Sequence, residues 1–288
     1  MPIRLHQENP SLLREAIGFT SAEMGFEARL LEKDYFCSVV LEYLAGSGAG
    51  LVFKGGTCLS KVHTGFYRLS EDLDFSIATP LTSSRGDRSR SARPLQAIVG
   101  DLPPHLPGFQ LVEPLRGFNN STQYNAVVAY ESLVDGHIER ISIEAGVREP
   151  LLMAPEGLAA RTALLNPLDG AALVDAHIVT CVPYAELMAE KLRAALSRLE
   201  VAIRDFFDID HAVRTGRLTV DDPAVMRLLR DKLAVPGAGT IDVSPARLKQ
   251  LQRQVETELR SVLREADLME FDLDRAIAIV TGVAAALV

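Results

Sequence analysis

The segment LVFKGGTCLSKVHTGFYRLSEDLDFSI at 51–77 constrains the fold of this chain more than any other stretch. Residues 51–53 are apolar and predict a short buried strand, and residues 73–77 predict a second one. A helix is predicted between them, up to about residue 62. Glycines before a helix leave its free backbone amides open to an anion such as phosphate. Gly-Gly alone is usually only a turn. The turn residues here are Lys54, Gly55, Gly56 and Thr57.

Asp72 and Asp74 stand at the entry to the second strand. A spacing of two residues places both side chains on one face of a strand. Two neighbouring carboxylates repel each other unless a cation joins them, and Mg²⁺ also binds phosphate. The alternative is a solvated strand edge, but Phe-Ser-Ile after Asp74 indicates a strand that enters the core. The pair is therefore predicted to bind two magnesium ions.

Hydrophobic spacing predicts an α+β N-terminal half and an all-helical C-terminal half. Residues 10–46 predict helices, and an antiparallel strand pair is predicted around an Asp-Gly turn. The strands of this pair are 124–131 and 138–145. Residues 79–94 predict a loop, because they are rich in Ser, Arg, Gly and Pro and have almost no apolar content. The C-terminal helices are expected at about 184–200, 203–214, 221–234, 244–266 and 272–286. We place the domain boundary between residues 1–165 and 166–288.

The helical run at 184–210 carries a second group of charged residues. Lys191, Arg198 and Asp205 are each seven residues apart, which is nearly two turns and puts them on one helix face. Taken alone, such a face is more often the solvated side of an amphipathic helix. In one unbroken helix Lys191 and Asp205 would lie about 21 Å apart, at 1.5 Å per residue. They can share one small site only if the helix breaks near 200–202, and otherwise they line a longer groove.

The Gly-Gly turn, short helix and Asp-x-Asp pair resemble nucleotidyltransferases of the DNA polymerase β type. The spacer of 14 residues between Thr57 and Asp72 is longer than the general pattern. The longer form resembles the AbiEii/AbiGii toxin family, which includes MenT-like toxins of mycobacteria, and the resemblance covers most of the chain. Matching positions are Glu32, Lys33, Asp34, Tyr35, Lys54, Gly55, Gly56, Thr57, Leu59, Lys61, Arg68, Ser70, Glu71, Asp72 and Asp74. A second signature matches at Glu190, Lys191, Leu192, Ala194, Arg198, Arg204, Asp205 and Asp208.

The resemblance implies a nucleotidyltransferase-type domain with a mixed sheet flanked by helices, and a helical domain that completes the active site. The implied catalytic residues are Asp72, Asp74, Lys191 and Asp205. The implied nucleotide-binding residues are Gly55, Gly56, Thr57, Lys61, Ser70, Arg198 and Asp208. Lys191 is expected to neutralise triphosphate charge as a point cation. Lys61 would add positive charge or only face solvent, and the sequence leaves open whether Asp205 or Asp208 is the essential acid.

A third acid usually lies on a neighbouring strand of that fold, and Glu144 is the candidate metal ligand. Alternation puts Ile141 and Ile143 on one side of its strand, and Ser142 and Glu144 on the other. Glu139 is the competitor, but in an unbroken strand it points to the isoleucine side. Alternatively, Glu144 is a polar residue on an open sheet face.

The implied reaction is transfer of a nucleoside monophosphate from a nucleoside triphosphate to RNA, with the tRNA 3′ end as the preferred acceptor. Pyrophosphate is released, translation is blocked, and a cognate antitoxin restrains the toxin. The arginines at 85–93 are the expected RNA contacts, unless that loop is simply solvated. One alternative is a nucleotidyltransferase acting on a small molecule such as an antibiotic, which would need an acidic pocket for a cationic acceptor. The other is a non-catalytic binding module that kept the fold.

Ser70 and His63 carry separate expectations. Ser70 lies two residues before Asp72, so a phosphate on it would add negative charge beside the carboxylates and is expected to abolish activity. Alternatively, Ser70 only caps a turn. His63 follows the predicted phosphate helix and is expected to be a surface or packing histidine.

Composition narrows the remaining classes. A net charge of −8 and a pI of about 5.3 argue against coating of nucleic acid through bulk charge. Tryptophan is absent, which disfavours a stacking platform for single strands. Cys37, Cys58 and Cys181 form no close pair, so neither a disulfide framework nor a zinc knuckle is expected. No leader or membrane-length segment is visible, so we expect a cytoplasmic protein, with a monomer preferred.

Overall fold

The computed structural model describes residues 3–287, which form two compact units that divide between Val182 and Pro183. The first unit contains a mixed sheet of seven strands with helices packed on it, and the second consists of helices. The predicted α+β class, with a helical C-terminal part, is confirmed. The observed division lies 17 residues after the predicted one, because the last strand of the sheet occupies residues 177–181.

The seven strands follow the sheet order β3-β4-β5-β2-β1-β7-β6. Antiparallel pairing joins β1 to β2, β3 to β4, β4 to β5, and β6 to β7, whereas β2 pairs with β5 and β1 with β7 in parallel. The strands are Val52–Lys54 (β1), Leu73–Ser76 (β2), Phe109–Phe118 (β3), Gln123–Glu131 (β4), Ile138–Gly146 (β5), Glu156–Ala160 (β6) and His177–Cys181 (β7). The predicted strand pair around Asp135-Gly136 is therefore confirmed, with Gly136 at φ +75° in its turn.

The helices of the first unit include the long α3, whose residues from Leu30 to Leu41 are all buried. The α-helices are Leu5–Glu8 (α1), Pro10–Met24 (α2), Ala28–Ala45 (α3), Gly55–Cys58 (α4), Arg85–Gly100 (α5) and Leu102–His105 (α6). A π-helical segment, Leu59–Thr64, continues directly from α4, and a 3-10 turn covers Asn119–Ser121. The helix predicted after the Gly-Gly turn is thus present, in a widened form.

The predicted loop at 79–94 is wrong from residue 85 onward, because α5 begins there. The Ser84 hydroxyl accepts from the Asp87 amide, and the Asp87 carboxylate accepts from the Ser84 amide and hydroxyl. This capping box fixes the start of the helix. Ala92, Leu95 and Val99 then supply a buried face at helical spacing. The prediction was wrong because it relied on the polar composition of the segment, whereas three buried apolar residues are enough to pack this helix against the rest of the unit.

The second unit contains six α-helices among the described residues. They are Tyr184–Ser197 (α7), Ile203–Arg214 (α8), Pro223–Leu233 (α9), Pro245–Gln254 (α10), Glu265–Glu270 (α11) and Leu273–Leu287 (α12). The single helix predicted over 244–266 is instead divided: α10 is followed by a π-helical segment Val255–Leu259 and a 3-10 turn Arg260–Val262. Within residues 3–287, none of the helices has the length and apolar character needed to cross a bilayer.

Candidate functional site

The turn after β1 brings Gly55 against the carboxylate of Asp74. Gly55 has φ +75°, in the left-handed region that favours glycine. A Cβ built on Gly55 would overlap a carboxylate oxygen of Asp74 and lie 2.8 Å from its Cγ. The predicted phosphate-binding turn therefore packs directly on one member of the predicted metal-binding pair.

Gly56 and Thr57 hold the remainder of the turn in place. A Cβ on Gly56 would overlap the guanidinium of Arg68, a side chain that is almost fully buried. The Thr57 hydroxyl donates to the backbone oxygen of Asp72 at 2.5 Å. This bond ties the turn to the segment that carries the acidic pair.

The sheet register places Asp74 and Glu144 side by side. Asp74 of β2 lies opposite Glu144 of β5, which in turn lies opposite Asn125 of β4. Lys54 of β1 lies opposite Asp74 on its other side. Residues in register on neighbouring strands project from the same face of a sheet. We call Lys54, Asp74, Glu144 and Asn125 the acidic row.

The acidic row supplies the oxygen ligands that a hard divalent cation requires. The nearby Asp72 and the two acids of the row are only partly buried, so their carboxylates remain within reach of a ligand. Glu144 also accepts from Nε2 of Gln123 at 3.1 Å. The side-chain oxygen of Asn125 is buried and has no hydrogen-bond partner among the described residues. Buried polar atoms normally have a partner, so an ion or a water molecule is expected at this oxygen. The residues present therefore fit a bound divalent cation.

Glu139, the competing third acid, takes part in an ion-pair network instead. Arg29 Nη1 lies 3.1 Å from a carboxylate oxygen of Glu139, and Lys33 Nζ lies 3.5 Å from the other. The same two cations also pair with Glu71, at 3.2 and 3.0 Å. The strand alternation that separated Glu139 from Glu144 therefore agrees with the structure.

Lys61 does not fit its predicted role in nucleotide binding. Its side chain is fully buried, and Nζ donates to the Asp34 carboxylate at 2.5 Å and to the Ser38 hydroxyl at 2.7 Å. The second carboxylate oxygen of Asp34 accepts from the amide of Ala163 at 2.9 Å. Lys61 therefore links α3 to the π-helical segment, and neither solvent nor a nucleotide reaches its ammonium group.

The upstream motif at 32–35 likewise has structural partners. Glu32 is fully buried and accepts from the Ser132 hydroxyl at 2.6 Å, which holds the β4–β5 hairpin against α3. Burial raises the pKa of Glu32, although its hydrogen bonds act in the opposite direction. The Tyr35 hydroxyl bonds to the backbone amide of His6 at 3.0 Å. These residues support the sheet from its helical side and do not belong to the acidic row.

In the helical unit, Lys191, Asp205 and Asp208 form one cluster. The Lys191 ammonium lies 2.7 Å from a carboxylate oxygen of Asp205 and 2.9 Å from one of Asp208. The chain leaves the helical conformation at Arg198 and resumes it at Ile203, so α7 and α8 bring these residues together across a break. The break falls where the sequence required one. We call these three residues the lysine–aspartate cluster.

Arg198 lies at the rim of this cluster, with Nη1 3.8 Å from Asp205 and a side chain that is 60% exposed. The Asp205 oxygen that Arg198 approaches is Oδ2, which is buried and makes no hydrogen bond among the described residues. Asp208 is fully buried. Ser70 is half-buried in the segment that leads into β2.

Two of the three cysteines meet in space, contrary to their separation in the sequence. Cys58 at the end of α4, Cys181 at the end of β7 and the ring of His63 place their ligand atoms within 4.8 Å of one another. The partly exposed ring of His63 thus lies beside both thiols. Cys37 is buried elsewhere, where its thiol donates to the backbone oxygen of Glu71 at 3.7 Å.

Sequence reasoning missed Lys54 and Asn125 as members of the acidic row. Lys54 immediately precedes the glycines, and its place next to Asp74 follows from the antiparallel pairing of β1 with β2. The place of Asn125 in the row could be inferred from the predicted hairpin, because its register puts Asn125 opposite the site residue Glu144. The hairpin register was therefore the signal that could have identified Asn125.

The fold is shared with two solved structures from Helicobacter pylori. A nucleotidyltransferase from H. pylori and JHP933 from Helicobacter pylori each superpose with a TM-score of 0.50 at 17% identity, covering 91% of this chain and 96% and 93% of theirs. MenT4, a nucleotidyltransferase toxin from Mycobacterium tuberculosis, gives a TM-score of 0.43 at 22% identity, covering 88% of this chain and 93% of its own. No curated protein sequence matches significantly. The two H. pylori superpositions show that this chain shares their fold.

The family model described as "Nucleotidyl transferase AbiEii toxin, Type IV TA system" matches residues 40–278. The chain belongs to this AbiEii family of nucleotidyltransferase toxins. The resemblance drawn from the sequence motifs is confirmed, and the protein is an enzyme of the nucleotidyltransferase class. Membership of a toxin–antitoxin family also implies an antitoxin partner.

Proposed function

We propose that this toxin transfers a nucleoside monophosphate from a nucleoside triphosphate to an RNA acceptor in a Mg²⁺-dependent reaction. The preferred acceptor is the 3′ end of tRNA, whose modification would block translation. The acceptor hydroxyl oxygen bonds to the α-phosphorus, the bond from phosphorus to the pyrophosphate oxygen breaks, pyrophosphate leaves, and the hydroxyl proton passes to solvent. The observation that carries the proposal is the register of Asp74 with Glu144, next to a glycine turn that only a residue without a side chain can form.

In this proposal Asp72, Asp74 and Glu144 hold the magnesium ions, and Asn125 contributes its buried oxygen. Bound Mg²⁺ supplies charge stabilisation at the phosphates and lowers the pKa of the acceptor hydroxyl. The protein's part is to fix Asp74 and Glu144 on strands that are hydrogen-bonded on both sides, with Asp72 immediately before β2. Preorganised ligands of this kind need little rearrangement during the reaction.

The Gly55–Gly56 turn is proposed to bind the triphosphate through backbone amides. The backbone amides at the start of α4 are the proposed donors to a phosphate group, while Asp74 and Arg68 fill the space left by the two missing side chains. Lys54, in register with Asp74, adds positive charge at the same edge of the acidic row. These groups orient the phosphates toward the carboxylates.

The helical unit is proposed to contribute Lys191 to nucleotide binding, as the family resemblance implies. The carboxylates of Asp205 and Asp208 hold its ammonium group and thereby define its position. Arg198 is exposed and can bind a phosphate without breaking a short contact. Asp205 and Asp208 are therefore positioning residues in this proposal, with Asp205 the closer partner of Lys191.

The RNA acceptor is supported by the arginines of α5, three of which are exposed: Arg85, Arg90 and Arg93. A helix bearing arginines on an otherwise acidic protein offers a local site for phosphate backbone. We also propose that the toxin acts in the cytoplasm, where its tRNA substrate and antitoxin are present.

Incubation of the purified protein with each labelled nucleoside triphosphate, Mg²⁺ and total RNA tests the proposal. We expect label in tRNA and release of pyrophosphate. Asp72→Asn and Asp74→Asn are expected to lower transfer by at least about 100-fold, since removing one charge-stabilising group typically costs that much. Asp175→Asn, which changes an exposed carboxylate of the same unit, serves as the matched control and is expected to keep activity.

Other outcomes decide between the alternatives. Label on an added small molecule but not on RNA would support an antibiotic-type enzyme. Label in RNA other than tRNA would support the proposed transfer reaction but show that the acceptor is a different RNA. Absence of transfer in the presence of every nucleotide, with the native protein equal to Asp72→Asn, would support a binding module.

A further inference from the structure

Cys58, His63 and Cys181 form a compact group that the proposed reaction does not use. We call them the thiol–histidine group. Cys58 and Cys181 are fully buried, whereas His63 is partly exposed. The Cys181 sulfur lies 3.9 Å from Nε2 of His63, and all three ligand atoms lie within 4.8 Å of one another.

The 3.9 Å between the Cys181 sulfur and His63 Nε2 is a few tenths of an ångström longer than the edge of a tetrahedral zinc site. Zinc–sulfur bonds of about 2.3 Å and zinc–nitrogen bonds of about 2.1 Å put neighbouring ligand atoms about 3.6–3.8 Å apart. Two thiolates and one imidazole are soft or borderline ligands, which select zinc over magnesium. We propose that the thiol–histidine group binds one zinc ion, separately from the acidic row.

The surroundings favour the thiolate form that a metal needs. A hydrogen bond from Cys58, opposed by burial and assisted by His63, lowers the pKa of the Cys181 thiol to about 6. Zinc binding would release the remaining thiol protons to solvent, so affinity falls as the pH is lowered. No fourth His, Cys, Asp or Glu joins the group within residues 3–287, which leaves one position to water.

The position of the group would let a bound ion link three elements of the sheet-forming unit. Cys58 ends α4, His63 lies in the π-helical segment, and Cys181 ends β7, which pairs with β1 at Phe53. A zinc ion there would fasten the helix after the Gly-Gly turn to the sheet. His63 Nε2 also lies 3.0 Å from the backbone oxygen of Val182. Zinc coordination by this nitrogen would replace that contact, because a nitrogen that donates its proton to a carbonyl oxygen has no lone pair for a metal.

Zinc and cobalt binding to the full chain tests the proposal without reference to activity. We expect one zinc ion per chain after dialysis, a rise in Tm on adding zinc, and the visible and thiolate charge-transfer bands of tetrahedral cobalt. Cys58→Ser, Cys181→Ser and His63→Gln are each expected to weaken binding by more than about 100-fold, since even residues outside the first ligand shell cost up to that factor. Cys37→Ser is the matched control and should bind normally. His63→Gln changes a partly exposed residue, which keeps the test open if a cysteine variant fails to fold.

The same measurements on Asp72→Asn/Asp74→Asn separate this inference from the proposed function. Zinc binding that persists in this variant, with the cobalt–thiolate band intact, supports an independent site. Loss of zinc binding in this variant, or a cobalt spectrum without thiolate bands, would overturn the proposal. The proposal would also be overturned if the native chain binds no zinc. Loss of two titratable thiols on mild oxidation of that chain would then indicate that Cys58 and Cys181 form a disulfide instead.

Discussion

At the scale of single residues, the geometry of Asp74 depends on a missing side chain at Gly55. Gly55 follows the end of β1, and Asp74 lies in β2. On the side of Gly55 that faces the carboxylate there is room only for a hydrogen atom. The sequence alone gave reasons for a glycine, namely turn formation and phosphate approach. The structure adds a third reason, which is contact with a proposed metal ligand.

Gly55→Ala is expected to reduce nucleotide transfer by at least about 100-fold, because the new methyl group displaces the Asp74 carboxylate from its place in the acidic row. Gly25→Ala is the matched control. Gly25 has φ +76° with no atom within 4 Å of a built Cβ, so it carries the same backbone cost without the clash. Each variant is expected to lose about 1–2 kcal/mol from the left-handed backbone alone. Activity assays and urea unfolding of both variants check this, and equal activities would contradict it.

At the scale of secondary-structure elements, a buried ion pair replaces the nucleotide contact expected of Lys61. Asp34 of α3 and Lys61 of the π-helical segment exclude solvent completely at their contact. Breaking one side of such a pair leaves an unpaired buried charge, which costs far more than losing a surface pair.

Lys61→Met is therefore expected to lower the free energy of unfolding by about 3–5 kcal/mol. The exposed Lys249→Met should stay within about 0.5 kcal/mol of the native protein. Lys61→Met/Asp34→Asn should recover part of the loss, since no buried charge remains. Urea unfolding measures all three. A Lys61→Met variant of native stability with weakened nucleotide binding would restore the original interpretation of this residue.

Local pairings were predictable from the sequence, and long-range ones were not. The β4–β5 hairpin follows from alternation around Asp135-Gly136, and the break between α7 and α8 follows from the need to join Lys191 to Asp205. The parallel pairing of Asp74 with Glu144 joins residues 70 positions apart, and no local pattern encodes that register. For the same reason, Cys58 and Cys181 read as isolated cysteines. The burial of Lys61 escaped prediction because its partner Asp34 lies on another element.

At the scale of the whole molecule, the net charge of −8 limits how the proposed RNA acceptor could bind. A chain of this charge repels a polyanion at long range, so binding has to come from local arginines and bound cations. The salt dependence of RNA binding then reports a few phosphate contacts instead of a general attraction.

Arg85→Glu/Arg93→Glu is expected to raise the KM for RNA by at least about tenfold and to leave the KM for the nucleotide unchanged. The slope of log K against log salt should fall by about 1.4–1.8 if both arginines contact phosphate. Arg227→Glu/Arg253→Glu is the matched control, because it also changes two exposed arginines. Each double variant lowers the net charge by 4, from −8 to −12. Equal losses in both variants would mean that only overall charge matters.

The sheet order also determines when during synthesis the acidic row becomes complete. Asp74 on β2 leaves the ribosome well before Glu144 on β5, and β1 gains its second neighbour only when β7 has emerged, at residue 181. Because domains generally fold as units during translation, a nascent chain stopped before β5 lacks one of the proposed metal ligands. On the proposed function, a nascent chain is therefore expected to lack nucleotide transfer until most of the sheet-forming unit has been translated.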